Sequence, residues 1–368
     1  MRADNDSVIK SFNTGLLFSM LVLFAMGVIT LYSATSAQGS VFEGFHKKQL
    51  IYFGVGALIA LAVVFIDSQI FEKFSYVSYG ICFVLLVLVE LIGHTGKGSS
   101  RWINLGFFHL QPSEFAKIAI VFTLAKYFAD DKRGGPYDLK RLILPGILVF
   151  PYFILILKQP DMGTAGILFL TATSIVLFVK VEWKSFLTVL IAALIMMPIA
   201  YKYFLHDYQR HRVQTFIDPD MDPTGKGYNT LQCRIAVGSG QVLGKGYLKG
   251  TQAQLNFIPE QHTDFIFSVF AEEWGFVGGM TLLTFYFLYI AFALRAVARA
   301  RDKFETLLAM GLSALMFWHV FINIGMVSGI LPIVGVTLPF FSYGGSSLLT
   351  FMTATALLLN ISRKKYIF

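Results

Sequence analysis

The stretch DFIFSVFAEEWGFVGGMTLLTFYFLYIAFAL, residues 264–294, decides the fold. It opens on an acid, Asp264, and then runs through about thirty predominantly apolar residues, enough for a helix to cross roughly 30 Å of hydrocarbon. Windows of this kind recur about ten times along the chain. They cover residues 12–33, 49–66, 74–93, 112–129, 142–157, 163–179, 185–201, 265–294, 304–327 and 339–361.

The composition is that of an integral membrane protein. Of the 368 residues, 55% are hydrophobic and 14% are charged, and the mean hydropathy is +0.64, far outside the range of soluble domains. The apolar windows lack the period-two alternation of a membrane barrel, so the backbone polar groups must be satisfied within helices. We therefore predict an all-α fold, a polytopic transmembrane helical bundle of about ten spans. Residues 1–368 are expected to form one integral membrane domain, with the first window retained as a span.

The cations of the short connections predict the orientation of the bundle. Lys and Arg are frequent on one side, as in DDKRGGPYDLKR (residues 130–141), and sparse on the other, where Lys47 and Lys158 are examples. Because cytoplasmic loops carry the excess of positive charge, both termini are predicted to be cytoplasmic (N-in/C-in). Residues 202–263 then form one long extracytoplasmic loop between the seventh and eighth spans. The net charge of +8 reflects topology and contact with anionic membrane lipids, and gives no reason to expect nucleic acid.

Ionisable residues at the edge of a span are candidates for function, since a charge at the centre of a span costs roughly 2.5–3.5 kcal/mol. Asp264 begins the eighth span, two residues after His262. It is either a helix N-cap, with Thr263 as a competing cap, or a functional carboxylate, and the spacing leaves both open. Further along this span, Gly275 and Gly279 share a helix face, where packing against another helix through small residues is the favoured interpretation.

Two other positions carry charge beside a predicted span. Glu114 and Lys117 stand three residues apart at the outer end of the fourth span, so they share a face and can form an ion pair. A structural salt bridge and a cavity wall that holds substrate or tunes a neighbouring pKa are equally open. Asp161 follows Pro160 and opens the sixth span, where an N-cap is the favoured interpretation.

Three arginines outside the apolar windows are candidate ligands for phosphate. Arg210 and Arg212 flank His211 in the long loop, and Arg101 lies beside Trp102 in another outer connection. A guanidinium fork suits phosphate, although loop cations are more often plain surface charge. The sequence shows neither metal-ligand spacing nor the setting that a nucleotide-binding glycine motif requires.

Six motifs, in fixed order, carry a family resemblance. They are QPSEFAK (111–117), KQPDMGT (158–164), DYQRHRV (207–213), GKGYLKGTQAQLNFIPEQHTDFIF (244–267), AEEWG (271–275) and LPFFSYGGSS (338–347). Together they closely resemble the SEDS (shape, elongation, division and sporulation) family over essentially the whole chain. Within that family, GTQAQLNF and GKGY are more similar to the elongation members than to the division members.

The resemblance implies a peptidoglycan glycosyltransferase that polymerises lipid II at the outer face of the cytoplasmic (inner) membrane during cell elongation. It also implies partners, namely a class B penicillin-binding protein that supplies transpeptidation and the elongation machinery. The family's essential acid is the Asp of the HTD motif, which is Asp264 here. The resemblance also carries over Glu114 and Lys117 of PSEFAK and Asp161 of QPD. To these we add, from the residues themselves and as substrate-binding or supporting candidates, Arg101, Arg210, Arg212 and His262.

The chemistry expected of such an enzyme assigns Asp264 as the general base. It would take the proton of the acceptor sugar's 4-hydroxyl as that oxygen attacks the donor's anomeric carbon, with inversion and no covalent enzyme intermediate. The departing polyprenyl pyrophosphate needs positive charge from an arginine, from Lys117 or from a divalent cation such as Mg²⁺ or Mn²⁺. Phe265 and Phe267, just inside the membrane, are expected to guide the polyprenyl chains.

Two other functions are compatible with the same residues. A lipid II flippase or transporter would also place polar residues within a helical bundle. A scaffold without catalytic activity would only bind its penicillin-binding protein.

Overall fold

The computed structural model describes residues 13–36, 44–92, 94–96, 99–104, 106, 109–203, 207–218, 221–222, 225–255, 257–258 and 260–363. Both chain termini, and so part of the predicted 1–368 domain, lie outside these residues. In chain order the helices are α1 (Thr14–Thr35), α2 (Phe45–Phe65), α3 (Ser68–Lys73), α4 (Ser75–Ile92), α5 (Pro112–Asp130), α6 (Leu139–Lys158), α7 (Met162–Phe178), α8 (Trp183–Tyr203), α9 (Asp207–Ile217), α10 (Lys226–Ser239), α11 (Thr251–Gln254), α12 (Ile266–Arg299), α13 (Lys303–Val327) and α14 (Gly345–Arg363). The strands are β1 (His94–Gly96), β2 (Ser99–Asn104) and β3 (His109–Leu110).

The prediction of a polytopic helical membrane protein is confirmed. Within the described residues, 7 helices are long and apolar enough to cross a membrane, namely α1, α2, α6, α8, α12, α13 and α14. Two shorter apolar helices, Ser75–Leu91 and Met162–Phe178, correspond to further predicted windows. The 112–129 window coincides with α5, which carries more charge. The total of about ten spans stays a prediction.

The centre of the bundle is formed by α13 and α14, because 67% and 89% of their apolar windows are buried, against 6% for α8. Helix α5 packs against α4 and α13, α2 packs against α14, and α1 packs against α12. Peripheral helices such as α8 therefore turn apolar side chains outward, as helices do towards lipid. The interior positions of α5 and α13 hold buried polar groups that a lipid-facing surface would not tolerate.

The all-α prediction misses a small sheet in the connection between α4 and α5. Its order is β1-β2-β3, and both pairs are antiparallel, with Thr95 opposite Ser100 and Ile103 opposite Leu110. Trp102 and Ile103 are residue types that favour a strand. These strands are too short for a periodic signal, so the segment looked like an ordinary polar loop.

The described part of the long connection 202–263 is largely helical rather than an extended loop. Helix α8 continues to Tyr203, and the described part of the connection then contains α9, α10 and α11. Helix α10 packs against α12 and α13, and its Cys233 and Ala236 are fully buried. Burial of these side chains fixes the segment on the end of the bundle.

Helix α12 is broken at Gly275, which corrects the prediction of small-residue helix packing there. Gly275 has φ 64° and ψ −161°, a conformation that essentially only glycine adopts. The 240–246 segment fits against the break: the backbone N–H of Phe276 donates to Gln241 O (2.8 Å), and that of Val277 donates to Val242 O (3.1 Å). The packing interpretation is wrong for Gly279 as well, since a β-carbon added there would have no neighbour within 4 Å.

Candidate active site

Several of the candidate residues lie around an extended segment after α13, residues 332–338, which we call the connector. Its sequence, PIVGVTL, carries one hydroxyl and no charge. It leads into a turn at 339–344, so α14 begins at Gly345 rather than at the predicted residue 339. Residues from the regions around α7, α9, α12 and α13 contact this segment, and α5 is linked to it through His319 of α13.

Asp264 lies against the connector and does not cap a helix. Helix α12 has Phe265 at its N-cap position without a side-chain capping bond, so the capping interpretation of Asp264 is wrong. A β-carbon added at Gly335 would lie 3.0 Å from Oδ2 of Asp264, and Gly335 has φ +75°. The Asn323 amide donates to the backbone oxygen of Asp264 (3.0 Å) and to Val336 O (2.5 Å). The Asp264 carboxylate is thus held at the surface of the connector, in a partly exposed position.

The Glu114–Lys117 pair forms and is buried. Lys117 Nζ donates to Glu114 Oε1 at 2.9 Å, and the Lys117 side chain is 0% exposed. A third residue, His319 of α13, places its Nε2 atom 2.7 Å from the same Nζ. The Nδ1 atom of His319 lies 3.2 Å from the connector oxygen of Thr337. The pair is therefore linked to the connector through His319.

His319 was not among the site residues predicted from the sequence. It stands as a lone histidine in an apolar span, 202 residues from Lys117, and no local spacing joins the two. The available signal was an ionisable residue within a span, which is a functional candidate by default.

Asp161 caps α7, as the favoured interpretation predicted. Its Oδ1 accepts the backbone N–H of Thr164 at 3.2 Å, and its Oδ2 accepts from the Gln111 amide at 3.2 Å. The start of α7 also abuts the connector, since a β-carbon added at Gly163 would lie 2.9 Å from Val334 O. Asp161 therefore orients a helix end that supports the connector.

Of the three predicted arginines, Arg212 contacts the connector. Arg212 Nη1 donates to Val334 O (3.4 Å), and Arg212 lines a small cavity with Thr215, Phe216, Thr230 and Ile333. Its contact lies one residue from Gly335, against which the Asp264 carboxylate packs.

Arg101 and Arg210 engage backbone oxygens elsewhere. Arg101 donates to Gln159 O (2.9 Å) and to Pro160 O, and its Nη1 lies 3.9 Å from Oδ1 of Asp161. Arg210 donates to Tyr201 O (3.1 Å) and Lys202 O (2.8 Å), in the last turn of α8. Both arginines thus hold structural turns in place.

His262 packs in an aromatic cluster beside the site. Its ring lies edge-on to Phe45 at 5.2 Å and 6.0 Å from the ring of Tyr343, and its backbone oxygen accepts from the N–H of Tyr343 (2.9 Å). These contacts join the turn before α12 to α2 and to the turn before α14. Phe265 and Phe267 are 3% and 6% exposed, so they belong to the core, and the expectation that they guide polyprenyl chains is wrong.

Two further acids, Glu272 and Glu273, fasten the 240–252 segment to α12. Lys245 Nζ donates to Glu272 Oε1 at 2.6 Å, and Glu273 Oε1 accepts from the Ser33 hydroxyl and from the Leu248 N–H (3.2 Å). Both carboxylates are buried, and apart from Ser33 of α1 the partners named here come from the 240–252 segment. Their contacts make them structural.

Charges beyond the far end of α5 pair among themselves. Asp131 Oδ1 accepts from Arg133 Nε and Asp131 Oδ2 from Arg141 Nη2, each at 2.9 Å. These hydrogen bonds hold the pKa of Asp131 well below its usual range, and the bond from Arg133 has the largest effect. The charges at this end of the bundle thus form structural ion pairs. The ionisable groups at the connector differ from them because they include Asp264, whose carboxylate is partly exposed.

Among the residues that the structure describes, no group of three or more His, Cys, Asp or Glu side chains is placed to hold an ion. A divalent cation, Mg²⁺ or Mn²⁺, stays a prediction.

Known proteins resemble this chain over nearly its full length. The cell cycle protein family of FtsW, RodA and SpoVE matches residues 14–367. The peptidoglycan glycosyltransferase MrdB of Escherichia coli K12 is 41% identical over 344 residues, covering 93% of this chain and 92% of MrdB.

Solved structures agree. A chain of a peptidoglycan synthase complex, solved in work on the coordination of polymerisation and crosslinking, has a TM-score of 0.83 at 30% identity, over 97% of this chain and 99% of that chain. The rod shape determining protein RodA of Thermus thermophilus has a TM-score of 0.71 at 28% identity, over 96% and 98% of the two chains. The resemblance predicted from the motifs is thus confirmed: this multi-pass membrane protein belongs to the cell cycle protein family of FtsW, RodA and SpoVE, the SEDS family.

Proposed function

We propose that this chain polymerises lipid II into glycan strands at the outer face of the cytoplasmic membrane, with Asp264 as general base. The chain is a peptidoglycan glycosyltransferase, in keeping with MrdB at 41% identity. One observation carries the assignment of the site: the Asp264 carboxylate, the Arg212 guanidinium and the Lys117–His319 contact meet along four consecutive connector residues, 334–337.

The reaction assigned to Asp264 is a direct displacement. Its carboxylate accepts the proton of the acceptor's 4-hydroxyl while that oxygen forms a bond to the donor's anomeric carbon. The bond from this carbon to the pyrophosphate oxygen breaks, and its electron pair leaves with the polyprenyl pyrophosphate. General base catalysis of this kind contributes about 10²–10⁴ in rate. With one base and no covalent intermediate, the anomeric centre inverts.

Arg212 is the cation we assign to the departing pyrophosphate. Its guanidinium lies on the connector next to the residue that touches the Asp264 carboxylate, and a planar fork matches phosphate oxygens. Arg101 and Arg210 donate to backbone oxygens outside the connector, whereas Arg212 donates to one within it, which favours Arg212 over them. Lys117 is buried against Glu114 and His319, so its role is to set the charge and shape of the wall behind the connector.

The membrane arrangement follows from the same assignment. The starts of α5, α7 and α12 meet at the connector, and the cation-rich connections lie at their opposite ends, which supports about ten spans with both termini cytoplasmic. The site then faces outward, where the sugars of lipid II react while its lipid tail stays in the bilayer. A related chain was solved in a peptidoglycan synthase complex, which supports a class B penicillin-binding protein as partner within the elongation machinery.

Purified protein with fluorescent lipid II, alone and with the penicillin-binding protein, separates this function from its rivals. Wild type is expected to yield glycan strands and Asp264→Ala none. The matched control is Asp207→Ala, since Asp207 is a fully exposed aspartate at the start of α9. Lipid movement across a vesicle without polymer would instead support a flippase. Loss of partner binding as the sole defect would support a scaffold.

A further inference from the structure

Two buried side chains of α13 face the connector from one helix face. His319 and Asn323 are four residues apart, the spacing that places side chains one above the other on a helix, and both are at most 1% exposed. His319 contacts Thr337 O at 3.2 Å, while Asn323 contacts Val336 O and the backbone oxygen of Asp264. The two side chains therefore bind successive carbonyl groups of the connector.

The partners determine which atoms carry hydrogen. A backbone carbonyl can only accept, so the atom of His319 facing Thr337 O is Nδ1–H, and Nε2 offers a lone pair. Lys117 Nζ, 2.7 Å away, is then the donor to Nε2. By the same reasoning, the Asn323 atom between the oxygens of Asp264 and Val336 is the amide nitrogen, because an amide oxygen there would face two acceptors.

The orientation of Asn323 comes with a penalty. Among the residues that the structure describes, its Oδ1 atom has no hydrogen-bond partner, although the side chain is 0% exposed. A buried polar atom in that state is unfavourable, and the two hydrogen bonds that the amide donates to Asp264 O and Val336 O offset that cost. The same two hydrogen bonds fix the backbone on either side of the proposed reaction centre, at Asp264 and at Val336.

We propose, on the basis of the function proposed above for Asp264, that Asn323 and His319 are positioning residues of the active site. Asn323 joins the backbone at Asp264 to the connector, so that the carboxylate stays beside Gly335. His319 holds the Lys117 ammonium at a fixed place relative to Thr337, two residues further along. The α13 face thus sets the distance between the base and the buried Glu114–Lys117 pair.

The alternative is that both residues merely hold helices together, and the chain contains a matched control for it. Asn360 of α14 is also buried, and its amide donates to three carbonyls at the end of α2, those of Val63, Val64 and Ile66. Its Oδ1 atom likewise lacks a partner among the described residues. Asn360 therefore makes the same kind of contact as Asn323, but at the C-terminal end of α2. The other end of α2 is the one near the site, because its first residue, Phe45, packs on His262.

The test compares Asn323→Ala with Asn360→Ala in the full-length chain, assayed with the penicillin-binding protein. Both variants are expected to lower the midpoint of thermal unfolding. Asn323→Ala alone should lower kcat for lipid II polymerisation by about tenfold or more, with KM within about twofold, because misplacement of the base affects the transition state more than substrate binding. Equal kcat for the two variants would overturn the role of Asn323.

Three substitutions of His319 test its two contacts separately. His319→Gln can keep an acceptor for Lys117, His319→Asn can keep a donor for Thr337 O, and His319→Ala keeps neither. We expect the alanine variant to have the lowest kcat and the other two to recover part of it. A wild-type kcat for His319→Ala would refute its positioning role.

The Asp264→Asn background separates this inference from the proposed function. If Asp264 is the base, Asn323→Ala should cause little further loss in that background, since the two residues act on one step. Full activity of Asp264→Asn would overturn both proposals. Inactive Asp264→Asn together with fully active Asn323→Ala would overturn the positioning role alone.

Discussion

Substitution of Gly275 by alanine should strongly destabilise the protein, although the residue lies in an apolar span. An added β-carbon would lie 2.3 Å from the backbone nitrogen of Gly244, 2.7 Å from Val242 O and 2.8 Å from Gly240 O. All three atoms are backbone, so no side-chain rotation can relieve the contact. The backbone at Gly275, with φ 64° and ψ −161°, would be strained in alanine as well.

The size of the effect can be worked from these contacts. A residue other than glycine in this backbone region costs about 1–3 kcal/mol. Moving the 240–244 segment away would weaken the two hydrogen bonds from Phe276 and Val277, each worth about 0.5–1.5 kcal/mol net. The free energy of unfolding is therefore expected to fall by about 2–6 kcal/mol.

The assay is unfolding in mixed detergent micelles, followed by circular dichroism at the helical band. Gly279→Ala is the control one turn further along α12. Its β-carbon meets nothing within 4 Å, so alanine should stabilise the helix by about 0.5–1 kcal/mol. If Gly275→Ala unfolds within about 0.5 kcal/mol of wild type, the 240–246 segment does not pack against the break as described.

Three further substitutions test the site and its supports. Lys117→Met leaves the Glu114 carboxylate buried without its cation and should cost about 3–5 kcal/mol of stability, which the added change Glu114→Gln should largely restore in the same unfolding assay. Lys245→Met removes the cation of a buried carboxylate from a partly exposed position and should cost roughly 1–3 kcal/mol. Gly335→Ala places a methyl group 3.0 Å from Asp264 Oδ2 and should slow lipid II polymerisation by about tenfold to a hundredfold.

Each of these has an outcome that contradicts it. If the double variant Lys117→Met with Glu114→Gln is no more stable than Lys117→Met alone, an unpaired buried charge is not the cause of the lost stability. Lys249→Met, on the exposed part of the same segment, should stay within about 0.5 kcal/mol of wild type, and a loss equal to that of Lys245→Met would remove the case for the Glu272 contact. Wild-type polymerisation by Gly335→Ala would show that the Asp264 carboxylate does not need its place beside residue 335.

The long apolar helices were predictable because the apolar windows are set by a simple energetic requirement. Backbone groups in hydrocarbon must bond within the segment, so a run such as 304–327 is expected to be helical, as it is in α13. A charge at the start of a run is also visible locally, which is why Asp264, Glu114 and Asp161 could be chosen from the sequence.

The assembly of the site was not predictable from local pattern. The connector has no charged residue to mark it, and the Lys117–His319 contact spans 202 residues of chain. Gly275 was misassigned because a small residue in an apolar run fits both helix packing and a helix break, and only the position of the 240–246 segment decides between them. The β1–β3 sheet was missed because two to six residues per strand give too little periodicity.

The most direct test of the central claim is the single-turnover rate of glycan bond formation by Asp264→Asn, in a preparation that unfolds like wild type and binds lipid II equally well. Asparagine keeps the shape of the side chain and its place on the connector but cannot accept the hydroxyl proton as a carboxylate does. We expect the rate to fall by about 10²–10⁴. A rate equal to that of wild type would contradict the assignment of Asp264 as the base.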